Sequence, residues 1–477
     1  MPARRRIGLP LGPAALLAVL LLPPPAGMEP AAWRTAGVGI LMAVWWMSEA
    51  VPIPATALLP LLLFPLLGVA GIDAAAAPYA NPVIFLFLGG FMLAQAMQKW
   101  GLHRRVALEV IRAVGTRPAS LVAGFMAAAA LLSMWVSNTA TAVMMLPIGV
   151  SVVELVCRRE GGGDGRDEAN FAAALMLGIA YACSIGGLGT LIGTPPNALL
   201  AGFMRETYGV EIGFGRWMLL GVPLVLVGLP LTWALLVRWA HPFRIPEVPG
   251  GAEMIRRELR ALGPPSRGEA AVAAVFFLAA ASWIFRPLLE RVLPGLSDAG
   301  IAVAAALLLF ALPVHPGRGE FALDWEWARR IPWEVLLLFG GGLSLAGAIA
   351  RTGLAGWIGA ALSALDALPT VTVVAVVATV VIFLTELTSN TATAAAFLPV
   401  VASLAGGIGE DPLLFAVPAA LAASCAFMMP VATPPNAIVY GSGAVTVPQM
   451  ARAGFLLNLA FVVLVTLWGW LLAPVLL

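Results

Sequence analysis

Ser137-Asn138-Thr139 and Ser389-Asn390-Thr391 each lie in the middle of apolar sequence. Roughly 40 to 60 residues after each comes a proline pair, in Thr194-Pro195-Pro196-Asn197 and Thr433-Pro434-Pro435-Asn436. Polar side chains and helix-breaking prolines are costly in hydrocarbon. A chain carrying both, twice and in the same order, is confined to folds that cover them with protein or turn them toward a cavity near the bilayer midplane.

Composition sets the frame for that reading. Of 477 residues, 61% are hydrophobic and 11% charged, and mean hydropathy is +0.95, against roughly 25% charged residues in soluble domains. The chain reads as an all-α polytopic membrane protein, with no room for a sizeable soluble domain. A net charge of +2, with arginines scattered over loops, gives no footprint for nucleic acid. Cys157, Cys183 and Cys425 sit in apolar context and suit packing, not a disulfide or thiolate site. His103, His241 and His315 fall near loops with no HExxH pattern, which leaves no basis for an intramembrane zinc enzyme.

Bilayer spans need about 20 apolar residues, and candidates fall at 8–24, 33–48, 51–70, 83–98, 171–205, 216–240, 269–287, 299–314, 333–350, 414–440 and 452–475, eleven crossings. Arg4, Arg5 and Arg6 before the first run, which ends at Pro23-Pro24-Pro25 without a cleavage site, place the N-terminus in the cytoplasm. The basic segments Lys99–Arg117, His241–Glu269 and the loop with Arg318, Arg329 and Arg330 then fall on the same side.

A charged linker, 241–268, carrying Pro242, Pro246, Pro249, Pro264 and Pro265, divides the chain. The halves match: one shift of 252 carries Gly89 to Gly341, Gly101 to Gly353, Ser137 to Ser389, Thr141 to Thr393 and Pro147 to Pro399. The matching spans 83–98 and 333–350 are the fourth and ninth crossings, and this odd separation, one even-numbered and one odd-numbered crossing, makes the repeats inverted. The expected organisation is 1–50, N-terminal helices; 51–240, a first repeat with hairpin 119–156 and broken helix 171–205; 241–298, a linker and connecting helix; and 299–477, a second repeat with hairpin 367–405 and broken helix 414–440.

Each hairpin reads as two short helices meeting at its tripeptide at membrane depth. The second arm begins at the tip, so its free N–H groups and positive dipole end face the cavity, where an anion can be held without arginine. The first arm ends there with partly negative carbonyls, and with Ser, Thr and Asn oxygens these make a hard-cation site suited to sodium. Ser133 and Thr385, one turn before Ser137 and Ser389, lie on the closing face. The proline pairs remove donors and force unwinding, which frees carbonyls around Gly193 and Ala432 and leaves Thr194 and Thr433 to offer hydroxyls.

Either motif alone is ordinarily a helix cap or a kink, and it is joint duplication in matching order that argues for function. Glu386 is open between proton chemistry and bracing the hairpin by hydrogen bonds. Glu49, Glu334, Trp45, Trp46 and Trp333 read as interface or packing positions, and the glycines at 89–90 and 340–342 as close helix packing, not phosphate cradles.

Residues 133–147, Ser-Met-Trp-Val-Ser-Asn-Thr-Ala-Thr-Ala-Val-Met-Met-Leu-Pro, and 385–393, Thr-Glu-Leu-Thr-Ser-Asn-Thr-Ala-Thr, together with the two Thr-Pro-Pro-Asn segments, resemble the divalent anion/sodium symporter family over nearly the whole chain. The resemblance implies a homodimer, with scaffold and transport domains working as an elevator; the richness in Ala, Gly and Arg and the short loops point to a bacterial inner membrane. It implies a first sodium site at Ser133, Ser137, Asn138 and Gly193 and a second at Thr385, Ser389, Asn390 and Ala432. Substrate carboxylates would meet Asn138, Thr139 and Thr194 on one side and Asn390, Thr391 and Thr433 on the other. The expected activity is sodium-coupled import of C4-dicarboxylates such as succinate, malate and fumarate. The alternatives are sodium-independent exchange, or carriage of citrate or sulfate.

Other classes fare worse. A hydrolase needs a base near Ser137 or Ser389, and neither has a His or Lys close in sequence. A passive channel fits discontinuous helices in an inverted repeat less well than a carrier does.

Overall fold

The computed structural model describes residues 3–115, 117–157, 165–248, 250–362 and 367–477. Pro249, one of the linker prolines, and the side chain of Cys157 lie outside that description. Among the described residues, seven helical stretches are long and apolar enough to cross a membrane: Ile72–Lys99, Asn138–Val156, Gly165–Gly187, Phe214–Ala240, Arg267–Ile284, Trp333–Arg351 and Val447–Leu476. Shorter apolar helices, Ile53–Leu66, Pro118–Ser133, Asp298–Ala311, Thr370–Thr385 and Pro412–Ala423, fill the spaces between them. Lined up against the sequence, this is a multi-pass helical membrane protein.

The segment 51–70 is not one continuous span. It is divided into Ile53–Thr56, started by Pro52 and Pro54, and Leu59–Leu66, whose Pro60 sits in the first turn while Pro65 lies within it; Pro60 lacks a donor and crowds the turn before it, where the break falls. Residues 299–314 also fall short of a full crossing: the helix is Asp298–Ala311, 14 residues, or about 21 Å at 1.5 Å per residue. The chain then forms a small antiparallel β-hairpin, Pro313–His315 with Glu320–Phe321, so the described residues are helical with one strand pair, not purely α.

The linker is more structured than its charges suggest. Gly251–Ala261 is an amphipathic helix that packs on a second one, Leu102–Val114. Arg104 reaches Glu258 at 2.7 Å and Arg105 reaches Glu269 at 2.6 Å. Glu269 also closes a capping box with Ser266 at the start of Arg267–Ile284. Near the N-terminus, Glu49 takes a left-handed φ of 49° and accepts from Arg4 and Arg5 at 3.0 and 3.1 Å. Trp46 is fully buried and donates to the Ile53 carbonyl at 3.2 Å.

The two halves pack reciprocally. Pro82–Lys99 of the first lies against Asp298–Ala311 of the second, and Trp333–Arg351 lies against Ile53–Thr56. Glycine sets both crossings: a Cβ on Gly89 would strike the carbonyl of Ala302, and one on Gly341 the carbonyl of Ala57.

Candidate functional site

At each tripeptide two helices meet end to start. Pro118–Ser133 stops and Asn138–Cys157 begins; Thr370–Thr385 stops and Asn390–Gly407 begins. In both copies the tripeptide Ser precedes the second arm. Ser137 Oγ accepts from Ala140 N at 3.2 Å, tying one of the orphan N–H groups of the first turn.

The hydroxyl one turn earlier closes each tip from behind. Ser133 Oγ donates to Asn138 Oδ1 at 2.5 Å, and Thr385 Oγ1 lies 2.8 Å from Asn390 Oδ1 and 2.9 Å from the Ala423 carbonyl. Both hydroxyls are fully buried. Asn138 and Asn390 are therefore each held at Oδ1 by the hydroxyl one turn before the tip.

The broken helices supply the opposing wall. Gly165–Gly187 ends, an irregular turn follows, and Pro195–Tyr208 starts after Thr194; Pro412–Ala423 ends and Pro434–Gly441 starts after Thr433. In the first copy the wall touches the tip directly. A Cβ on Gly187 would lie 3.0 Å from the Gly193 carbonyl oxygen and 3.1 Å from Asn138 Oδ1. Glycine at 187 thus lets the Asn138 amide and the Gly193 carbonyl converge. Gly193 is equally constrained, because a Cβ there would run into the Gly187 carbonyl.

Each wall crosses to the other hairpin. Pro195–Tyr208 packs on Asn390–Gly407 and on Pro412–Ala423, while Pro434–Gly441 packs on Asn138–Cys157 and on Gly165–Gly187. The tips and walls therefore form one composite body. Thr194 Oγ1 lies 3.2 Å from Ser424 Oγ, both buried, which joins the two unwound segments directly. In the second copy Thr433 caps its helix instead, accepting from Asn436 N at 3.3 Å. Thr139 is exposed and Thr391 is 8% exposed, each in the first turn of a second arm.

Three groups were not legible as site residues. Asn197 and Asn436 hold the unwound turns, and only their place in the repeated motif hinted at this. Ser424 gives no sequence signal at all. Glu386 accepts four hydrogen bonds, from Phe427 N at 2.6 Å, Met428 N at 2.9 Å, Met429 N at 3.0 Å and Asn458 Nδ2 at 2.8 Å. It therefore braces the second unwound segment.

The assembled donors are hydroxyl, amide and carbonyl oxygens, the set that suits a hard monovalent cation. Among the described residues no group of three or more His, Cys, Asp or Glu side chains comes together. The helix starts at Asn138 and Asn390 supply anion-binding N–H groups without a fixed positive charge.

Residues 6–477 match the family described as the sodium:sulfate symporter transmembrane region. A protein named sodium-dependent dicarboxylate transporter SdcS from Staphylococcus saprophyticus is 43% identical over 474 residues, 98% of this chain and 91% of that protein. The protein of the same name from Staphylococcus aureus strain USA300 is 42% identical over 480 residues, 100% of this chain and 92% of its own. Two solved transporters share the fold at low identity. The Alcanivorax borkumensis YdaH transporter has a TM-score of 0.56 at 15% identity, covering 94% of this chain and 100% of its own. Neisseria gonorrhoeae MtrF has a TM-score of 0.62 at 13% identity, covering 100% and 96%. On a match that runs almost end to end, with relatives above 40% identity over more than nine-tenths of their length, the chain belongs to the sodium:sulfate symporter family, the divalent anion/sodium symporters.

Proposed function

We propose that the protein is a secondary active carrier that imports C4-dicarboxylates, succinate, malate and fumarate among them, together with sodium. The observation that carries this is the convergence of two polar, uncharged hairpin tips with two unwound segments in one composite body. Such a site has two anion-binding ends and no arginine, which suits a molecule with a carboxylate at each end. A buried dianion needs cations to offset its charge, so sodium binds first and the carboxylates follow.

The first sodium is assigned to Ser133, Ser137, Asn138 and Gly193, the second to Thr385, Ser389, Asn390 and Ala432. Asn138, Thr139 and Thr194 hold one carboxylate, and Asn390, Thr391 and Thr433 the other. The reciprocal packing supports reading 51–240 and 299–477 as inverted repeats, as alternating access about a fixed site favours. We assign the chain to a bacterial inner membrane with its N-terminus in the cytoplasm, as a homodimer whose transport domains move as elevators.

The relatives' shared name supports dicarboxylate as cargo, whereas the description of the matched family names sulfate. Uptake of labelled succinate into proteoliposomes decides between them, run with citrate and sulfate as competitors and with an inward gradient of sodium or choline. Sodium-driven succinate uptake, blocked by excess unlabelled succinate and not by sulfate, is the expected result. Equal uptake in choline that requires internal dicarboxylate would replace symport with exchange.

A further inference from the structure

We propose that Glu386 is a positioning residue for the cation held at Thr385, Ser389, Asn390 and Ala432, and that only this half-site depends on a carboxylate. The inference rests on the sodium-carrier reading above and extends it to a residue outside the assigned ligand sets.

The two unwound segments correspond by a shift of 239, Thr194 to Thr433. On that shift Gly187, the last residue of its helix, matches Ala426, yet the second helix already ends at Ala423. The second copy therefore unwinds three residues earlier. In the first copy the next amides keep helix-like partners: Leu188 N donates to Ile185 O at 3.1 Å and Gly189 N to Gly186 O at 2.9 Å. Their counterparts, Phe427 N and Met428 N, both donate to Glu386 Oε1, and Met429 N donates to Oε2.

Three consecutive N–H groups converging on one anion form a nest. With Asn458 Nδ2 as the fourth donor, Oε1 accepts three hydrogen bonds and Oε2 one. Glu386 is 3% exposed and both of its oxygens are engaged by the segment 427–429, so it acts through the backbone it holds. That backbone leads straight to the site: Met429 N donates to Glu386, and Ala432 N donates to Met429 O at 3.1 Å. On its other side Glu386 follows Thr385, whose hydroxyl meets Asn390. One carboxylate thus fixes both the hydroxyl arm and the carbonyl arm of the half-site.

The first copy is built differently. The shift of 252 that aligns the hairpins places Met134 opposite Glu386. There the tie runs the other way: the Thr190 hydroxyl donates to the Met134 carbonyl. The turn is held by uncharged groups: backbone bonds, the Thr190 hydroxyl and the Asn197 amide.

The test compares the full-length protein with Glu386→Gln, Glu386→Asp and Asn458→Ala. In proteoliposomes, sodium activation of succinate uptake is measured at saturating succinate. Glu386→Gln, which replaces one acceptor with an amide N–H aimed at a donor, is expected to raise the half-activating sodium concentration about tenfold or more. Glu386→Asp and Asn458→Ala shift it in the same direction by less. Hydrogen exchange supplies a readout independent of transport. Residues 427–432 exchange faster in Glu386→Gln without sodium, and more sodium is needed to protect them, while 188–193 keep wild-type protection.

A sodium curve for Glu386→Gln that overlays wild type, or equal loosening of both segments, overturns the proposal. Should Glu386→Gln fail to fold, an unshifted curve for Asn458→Ala does the same. If wild-type uptake itself ignores sodium, the carrier reading fails, and selective loosening of 427–432 still decides whether Glu386 positions that segment.

Discussion

Asn197 and Asn436 make the same two hydrogen bonds in the two halves of the chain. Asn197 Nδ2 donates to the carbonyls of Gly187 and Thr190, at 3.1 and 2.8 Å, and Asn436 Nδ2 donates to those of Ala426 and Met429, at 3.3 and 3.1 Å. In each case the acceptors lie ten and seven residues earlier. The last residue of Thr-Pro-Pro-Asn therefore reaches back across the break its prolines create and satisfies carbonyls that have lost their helical partners. The break is held as a fixed turn, and Gly193 and Ala432 stand at its far end, directly before Thr194 and Thr433.

Both amides are fully buried, so replacing either by Asp sets a carboxylate against two carbonyl oxygens. An unsatisfied buried polar group costs about 1–3 kcal/mol, and more with a charge. Asn197→Asp and Asn436→Asp are expected to abolish uptake and lower the melting temperature in detergent. Wild-type stability in either variant would show that the turn is held by other means.

The two half-sites differ in tolerance at one equivalent position. A Cβ on Gly193 would meet backbone, the Gly187 carbonyl, and no rotamer can relieve that, whereas Ala432 already carries a methyl group. Gly193→Ala is expected to remove sodium-dependent uptake. Ala432→Gly adds only backbone freedom, about 0.5–1 kcal/mol, and should retain activity within about fivefold. Matching losses in the two variants would contradict the difference between the walls.

Much of this was written in the sequence because the expensive residues sit where the site is. The Ser-Asn-Thr tips and proline pairs mark the helix ends to within a few residues, since nothing else in apolar sequence explains them. The changed offset, 252 for the hairpins and 239 for the proline pairs, reports only a shorter connection in the second copy. What could not be read was side-chain direction. Glu386 looks the same in sequence whether it carries protons or braces backbone, and the early unwinding after Ala423 has no proline at that point to announce it. Charge hid the helices Leu102–Val114 and Gly251–Ala261, which pack on each other.

Asn138 and Asn390 have their Oδ1 atoms pinned by Ser133 and Thr385, which fixes each amide at its hairpin tip, where the proposed ligands would meet it. Asn138→Ala or Asn390→Ala is expected to reduce sodium-driven succinate uptake to background. Ser133→Ala and Thr385→Ala, which release the amide without deleting it, should instead raise the sodium requirement about tenfold, the worth of one buried hydrogen bond. If the hydroxyl variants keep wild-type sodium dependence, these residues hold no cation.

Stability should also depend on pH through His241, which follows the helical stretch ending at Ala240. Burial, helped by the charge of Arg452, lowers its pKa from 6.5 to about 4. Between those values the unfolded chain binds a proton that the folded chain refuses, so stability falls as pH drops from about 6.5 toward 4 and is level above. The span corresponds to about 3 kcal/mol at most. Wild type is expected to melt at a clearly lower temperature at about pH 5 than at about pH 7.5, and His241→Asn to show a smaller difference. An unchanged pH dependence in His241→Asn would place the acid sensitivity elsewhere.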